Sequence, residues 1–165
     1  MTERHDLAVE IVAPLNVDKV ADAFKKFEDL KRRILTSDDS VEIQGGQFLK
    51  KSAWRKFELA FGVSDRLVSQ EWVPAIGKDP EAGFYYRMVV EAFHPSTGRS
   101  SIGVAIASSR EKSRWAHEEH DVYALAHTRA KNRAIADLIG GGEVSAEEIE
   151  SDQGLAKTDT TRNPK

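Results

Sequence analysis

The 165 residues contain no cysteine, which excludes disulfides, thiolate zinc sites and cysteine nucleophiles. No apolar run approaches the roughly 18 residues that a membrane span needs, so no membrane partner is expected. The opening residues MTERHDLAVEIVAP set acids and a proline in and after a short apolar stretch, unlike the basic-then-apolar order of a secretory signal. The expectation is an intracellular, cytoplasmic protein. Nucleotide-driven motors are also excluded, because neither G-x-x-x-x-G-K-S/T nor G-x-G-x-x-G occurs. The nearest fragment, AIGKD around Gly77 and Lys78, lacks the first glycine and the hydroxyl residue. No internal repeat is present, and no cofactor is expected.

What is present describes an ordinary globular protein, with 40% apolar and 31% charged residues, long enough for one core. The net charge of -3 lies entirely in residues 141–165, since Lys and Arg balance Asp and Glu over residues 1–140. A neutral domain can still carry a basic groove, because binding depends on where cations cluster.

Along the chain, Leu7, Val9 and Ile11 alternate as in a short strand that stops at Pro14. From Asn16, a plausible N-cap, Val17, Val20, Ala21, Phe24, Phe27, Leu30 and Ile34 recur at helical spacing. A small hairpin follows, with strands at Val41–Ile43 and Phe48–Leu49 around a Gly45-Gly46 turn. The next helix, from Ser52 as cap to Gly62 as stop, carries Trp54, Phe57 and Phe61 on one stripe. A long hairpin runs from Phe84 to Ala107, turning at Pro95 and Gly98. In its second strand Ile102, Val104 and Ile106 share one face, while Gly103, Ala105 and Ala107 leave the other shallow enough for a helix to pack closely. After the polar stretch SSREKSRWAHEEHD, read as a loop or short helix, the last helix runs to Gly140-Gly141-Gly142. Its apolar stripe is Leu125, Ile135, Leu138 and Ile139, with Ala124 and Ala136 at the margins. The pattern predicts an α+β fold, an antiparallel β-sheet with helices packed on one face. It forms a single domain, 1–142, with an acidic, disordered tail, 143–165, ordered at most in a helical turn at Ser145–Glu150.

Two basic clusters stand out. On the last helix Arg129 and Arg133 share a face, Lys131 points elsewhere, and Asp137 is the only acid between Val122 and Gly142, so the arginines lack local partners. Lys50, Lys51, Arg55 and Lys56 crowd the start of the preceding helix, where cations oppose the helix dipole, and this favours an anionic partner. The unspecialised reading of each is a solvated helix face. Trp54, Tyr85 and Tyr86 are candidates for stacking on bases, although Trp54 and Phe57 fit a core better. His117, His120 and His127, beside Glu118, Glu119 and Asp121, raise the alternative of a metal-dependent enzyme, but their spacing departs from H-E-x-x-H. A third reading is a regulatory module whose acidic tail binds a partner such as a single-strand binding protein.

LKKSAWRK, the long hairpin with PSTGR at its tip, and HDVYALAHTRAKNRAIADLIGGGEVSAEE resemble phage and archaeal single-strand annealing proteins of the Rad fifty-two superfamily. The resemblance covers residues 40–150 and is strongest in the last helix. Ala126, Thr128, Arg133, Ala134 and Gly140 match that family's helix in order, whereas Asn132 stands where the family has lysine. The resemblance implies a β-β-β-α core, assembly into rings or filaments, and a non-enzymatic protein that holds single-stranded DNA and anneals complementary strands without ATP in recombination or repair. It singles out Arg133 as the backbone phosphate contact, with Arg129 or Lys131 to compensate for Asn132. Lys50, Lys51, Arg55 and Lys56 join the candidate DNA-binding set on charge alone. Neither a catalytic residue nor a metal ligand is assigned.

Overall fold

The computed structural model describes residues 16–74, 83–111, 118–140 and Ala146. The expected strand at Leu7, Val9 and Ile11, residues 112–117 of the polar stretch before the last helix and, apart from Ala146, the tail lie outside the described residues. Ala146 itself is helical and buried. The chain forms two compact units, Met1–Ile34 and Leu35–Lys165.

In the first unit, helix α1 spans Val17–Ile34. Asn16 caps it as expected, its side-chain oxygen accepting the Lys19 N–H at 2.9 Å. Lys31, Arg32 and Arg33 fill the last turn, where cations complement the dipole. Although the helix is amphipathic, none of its residues is buried, and Val17 and Phe24 are widely exposed.

The second unit is α+β, with two antiparallel sheets. Strands β1 (Ser40–Ile43) and β2 (Gly46–Leu49) form the small hairpin. Its turn is centred on Gln44 and Gly45, one residue earlier than expected, because both have the positive φ that a tight two-residue hairpin turn demands. Helix α2 (Lys51–Phe61) follows and ends where Gly62 turns left-handed at φ 61°. Ser52 lies inside its first turn instead of capping it; Lys50 holds the cap position without a side-chain bond. Trp54 and Phe57 are fully buried, edge to face at 5.7 Å between ring centres.

The main sheet has the order β3 (Ser64–Pro74), β4 (Phe84–Phe93), β5 (Ser100–Ser108), all antiparallel. Helix α3 (Glu119–Ile139) packs on one face of it, which completes a β-β-β-α unit. The pattern along the chain revealed β4 and β5 but not β3. Nearly every residue of β3 is exposed, and a bulge between Leu67 and Ser69 shifts its alternation by one. Apolar alternation therefore has no buried face to report. On β4 and β5 it does: Tyr86, Met88, Val90 and Ala92 face α3, as do Gly103, Ala105 and Ala107, while Ile102, Val104 and Ile106 stand exposed on the opposite face.

The expected stripe of α3 is corrected in one respect. Ile135 and Leu138 are buried, but so is a second row, Val122, Ala126, Ala130 and Ala134, and three of these join the sheet core. Small residues resemble filler in the sequence; here they let two backbones approach. A Cβ at Gly103 would lie 1.9 Å from the Ala130 carbonyl oxygen and 2.6 Å from the Ala134 nitrogen, both backbone atoms of α3. Gly103→Ala is therefore expected to force α3 off the sheet, losing more than the roughly 1–3 kcal/mol usual for overpacking. Urea denaturation checks this, and a loss below about 1 kcal/mol would contradict the seat described.

Candidate nucleic-acid interface

The cations of α3 meet the sheet at its edge. Ser109 donates its N–H to Phe84 O and His94 donates to Arg99 O, which fixes the ladder phase. Ala107, Ala105 and Gly103 bond β4, so Ile106, Val104 and Ile102 direct their amide groups to the open edge of β5. Arg129 Nη1 donates to Ile106 O at 3.1 Å, and Arg133 Nη1 donates to Val104 O at 2.7 Å. Four residues of helix advance about 6 Å and two of strand about 6.8 Å. Successive arginines can thus grip successive edge carbonyls of a strand running antiparallel to the helix.

The two arginines then differ. Arg129 is 5% exposed and forms a bidentate pair with Glu111, at 3.0 and 2.7 Å. The same carboxylate accepts the Ser108 N–H at 2.8 Å, so it also closes the end of β5. Arg129 has no partner at helical spacing, as expected, yet it is paired: Glu111 is 18 residues away, where no helical spacing could reveal it. Arg133 has its guanidinium at the exposed margin of the same edge.

Lys131 points elsewhere, as its position on the wheel predicts, but not to solvent. Its ammonium lies 2.9 Å from Glu58 of α2 and 2.7 Å from Asp65 of β3, and so ties both elements to α3. Burial pushes the Glu58 carboxyl up. Burial acts the same way on Asp65, but the Lys131 ammonium and a hydrogen bond from Glu58 outweigh it and leave Asp65 low. Burial also lowers the pKa of His127, against the attraction of Asp65. Lys131 is thus held between two carboxylates from different elements.

At the start of α2 the cluster divides in the same way. Lys56 turns inward to Asp39, 2.5 Å away. Asp39 is buried and also accepts the Thr36 N–H and hydroxyl at 2.8 and 3.0 Å. The Lys56 bond, opposed by burial and assisted by Thr36 and Ser52, holds the Asp39 carboxyl far below the usual range. Lys50 reaches the Asp38 carbonyl at 3.2 Å. Lys51 and Arg55, one turn apart, are both exposed and share a face.

The structure thus brings Arg129 and Lys131 into ion pairs in the interior, ties the partly exposed Lys56 to buried Asp39, and leaves Arg133, Lys51 and Arg55 exposed. Asn132 is 2% exposed, so this position lies in the interior. Arg129 and Lys131, the residues expected to compensate, are paired with Glu111 and with Glu58 and Asp65. Among the aromatic candidates, Trp54 is core, and Tyr86 is buried with its hydroxyl donated to Glu119, which together with burial raises its pKa to about 12. Tyr85 is half-buried on the sheet face opposite α3. His117 lies outside the described residues, and among these no group of three His, Asp or Glu side chains is arranged to hold a metal. No described helix is long and apolar enough to cross a membrane.

Arg129→Ala strands Glu111 without its partner and is expected to cost about 3–5 kcal/mol, the range for breaking a buried pair. Arg133→Ala is expected to cost no more than about 1 kcal/mol; parallel urea titrations check the contrast. For Asp39 the folded carboxyl is depressed. Its stabilising contribution is therefore complete above about pH 4 and is lost as pH falls through the folded value. Asp39→Asn should be less stable than the parent by about 1.5–3 kcal/mol at pH 7, with the gap narrowing below pH ~4. Thermal melts across pH 2–7 measure it, and a gap that stays constant would contradict the ion pair.

No family model matches the chain, and no curated protein matches it.

Proposed function

We propose that the protein binds single-stranded DNA and anneals complementary strands without ATP, acting in the cytoplasm as an oligomer in recombination or repair. The observation that carries this reading is that Arg133, the residue matching the family's phosphate contact, keeps its guanidinium at the exposed margin of a β-β-β-α unit while its neighbours Arg129 and Lys131 turn inward. The Lys51 and Arg55 face of α2 adds two exposed cations. Arg129, Lys131 and Lys56 belong to the scaffold in this reading, and Lys50 to its margin.

The mechanism is physical. Phosphates paired with Arg and Lys release counterions, the backbone is held extended, and exposed bases test a second strand by pairing. Matched strands gain stacking and pairing; mismatched strands do not. Few phosphate contacts per subunit give weak binding, so an oligomer supplies the affinity by multivalency.

Anisotropy titrations with a labelled oligonucleotide test the reading. Binding should favour single strands over duplex and fall with salt, by about 0.7 in the log–log slope for each phosphate contact. Arg133→Ala should weaken binding and flatten that slope while leaving stability nearly unchanged. Salt-independent binding, or none at low salt, would overturn the proposal.

A further inference from the structure

The two edges of the main sheet are treated differently. On β5, Arg129 and Arg133 occupy the outward carbonyls of Ile106 and Val104. An open edge invites strand addition, and side chains that cover it prevent that. The far edge belongs to β3, which among the described residues is the longest strand and pairs only with β4. Among the described residues no backbone group of β3 is bonded on that outer side. Its side chains are exposed too: Val68 is 53% and Trp72 50% accessible.

We infer that the outer edge of β3 pairs with β3 of a second copy of this chain, antiparallel across a two-fold axis, in a register that sets Arg66 opposite Glu71. Three observations lead to this register. The first is ladder phase. Even-numbered residues of β4 bond β5, so its odd-numbered residues bond β3. Their partners Ser64, Arg66, Ser69, Glu71 and Val73 therefore point their amide groups inward, and Asp65, Leu67, Gln70 and Trp72 point theirs outward. Antiparallel self-pairing with Arg66 opposite Glu71 also sets Asp65 opposite Trp72 and Leu67 opposite Gln70. Outward groups then meet outward groups throughout, giving about eight backbone hydrogen bonds at two per bonded pair.

The second observation is charge. Arg66 already pairs with Glu91 of β4 at 2.6 Å, and Glu71 lies 3.9 Å from Arg87. These four side chains share the sheet face opposite α3, because the bulge between Leu67 and Ser69 returns Arg66 and Glu71 to one side. In the inferred register each row across the joined sheets reads Arg87, Glu71, then the second copy's Arg66 and Glu91. Signs alternate along the whole row, and the two-fold axis repeats it. Opposite charges facing each other across strands are stabilising, whereas like charges are not. A shift by two residues to Arg66 opposite Ser69 keeps the ladder phase but loses this alternation and shortens the overlap. The third observation is symmetry itself: a self-complementary strand favours an isologous contact that closes.

This contact closes as a two-fold dimer, so it supplies one step of the self-association in the proposed function and not a ring or filament contact; it rests on that reading only for its purpose, so it is tested without DNA. The cysteine-free chain allows a clean register test. Arg66→Cys with Glu71→Cys sets the new thiols opposite one another between copies, in a non-hydrogen-bonded pair with Cα atoms about 4.5 Å apart, within disulfide range. Mild oxidation should convert most of the protein to a covalent dimer, at least fivefold more than Arg66→Cys with Ser69→Cys. Equal yields, or no dimer from the first pair, would overturn the inference. Gln70→Pro removes one outward N–H without touching the ladder to β4. In sedimentation it should shift the free protein to smaller species, and an unchanged distribution would also overturn it.

Discussion

The structure depends on how closely α3 can approach β5. Gly103 has no side chain because the backbone of α3 occupies that space, and Ala126, Ala130 and Ala134 keep the helix surface equally low. This approach brings the α3 arginines within reach of the outward carbonyls of β5. A bulkier seam would lift them away, open the sheet edge and separate Lys131 from Asp65. Core packing, edge protection and the placement of surface charge are therefore one problem solved by one helix.

That helix answers a question raised by its sequence, which holds three cations in a run suited to burial. Each cation has a different surrounding. Arg129 is enclosed with Glu111, Lys131 bridges Glu58 and Asp65, and Arg133 stands at the margin. A buried bidentate pair contributes little net energy against an apolar substitute, but breaking it leaves a stranded charge. Arg129 and Lys131 fix the helix in place and direction. Arg133 is the exposed residue of the three, although its Nη1 is bonded to Val104 O, and α2 contributes the exposed Lys51 and Arg55, since Lys56 is held by Asp39.

Much of this was legible in the sequence, for physical reasons. Strand β5 announces its two faces because a two-residue period separates Gly103, Ala105 and Ala107 from Ile102, Val104 and Ile106. The cap at Asn16 follows from its side-chain acceptor, and those at Gly62 and Gly140 from the left-handed backbone that glycine adopts readily. Strand β3 was not legible, because an exposed strand with a bulge has no apolar alternation. Nor were the partners of the cations: Lys131 and Asp65 are 66 residues apart, Lys56 and Asp39 are 17 apart and lie in different elements. Helical spacing reports contacts within one turn, so it marked every unpaired-looking cation as a candidate. Only the fold separates those that hold it together from those that face outward.

The most direct test of that separation is to map where a photoreactive oligonucleotide attaches to the protein, reading the crosslinked peptides by mass spectrometry. The account predicts attachment around Arg133 and along the Lys51 and Arg55 face, with the sheet face carrying Ile102, Val104 and Ile106 unmodified. Attachment concentrated on that apolar sheet face, or distributed without preference over the chain, would contradict it.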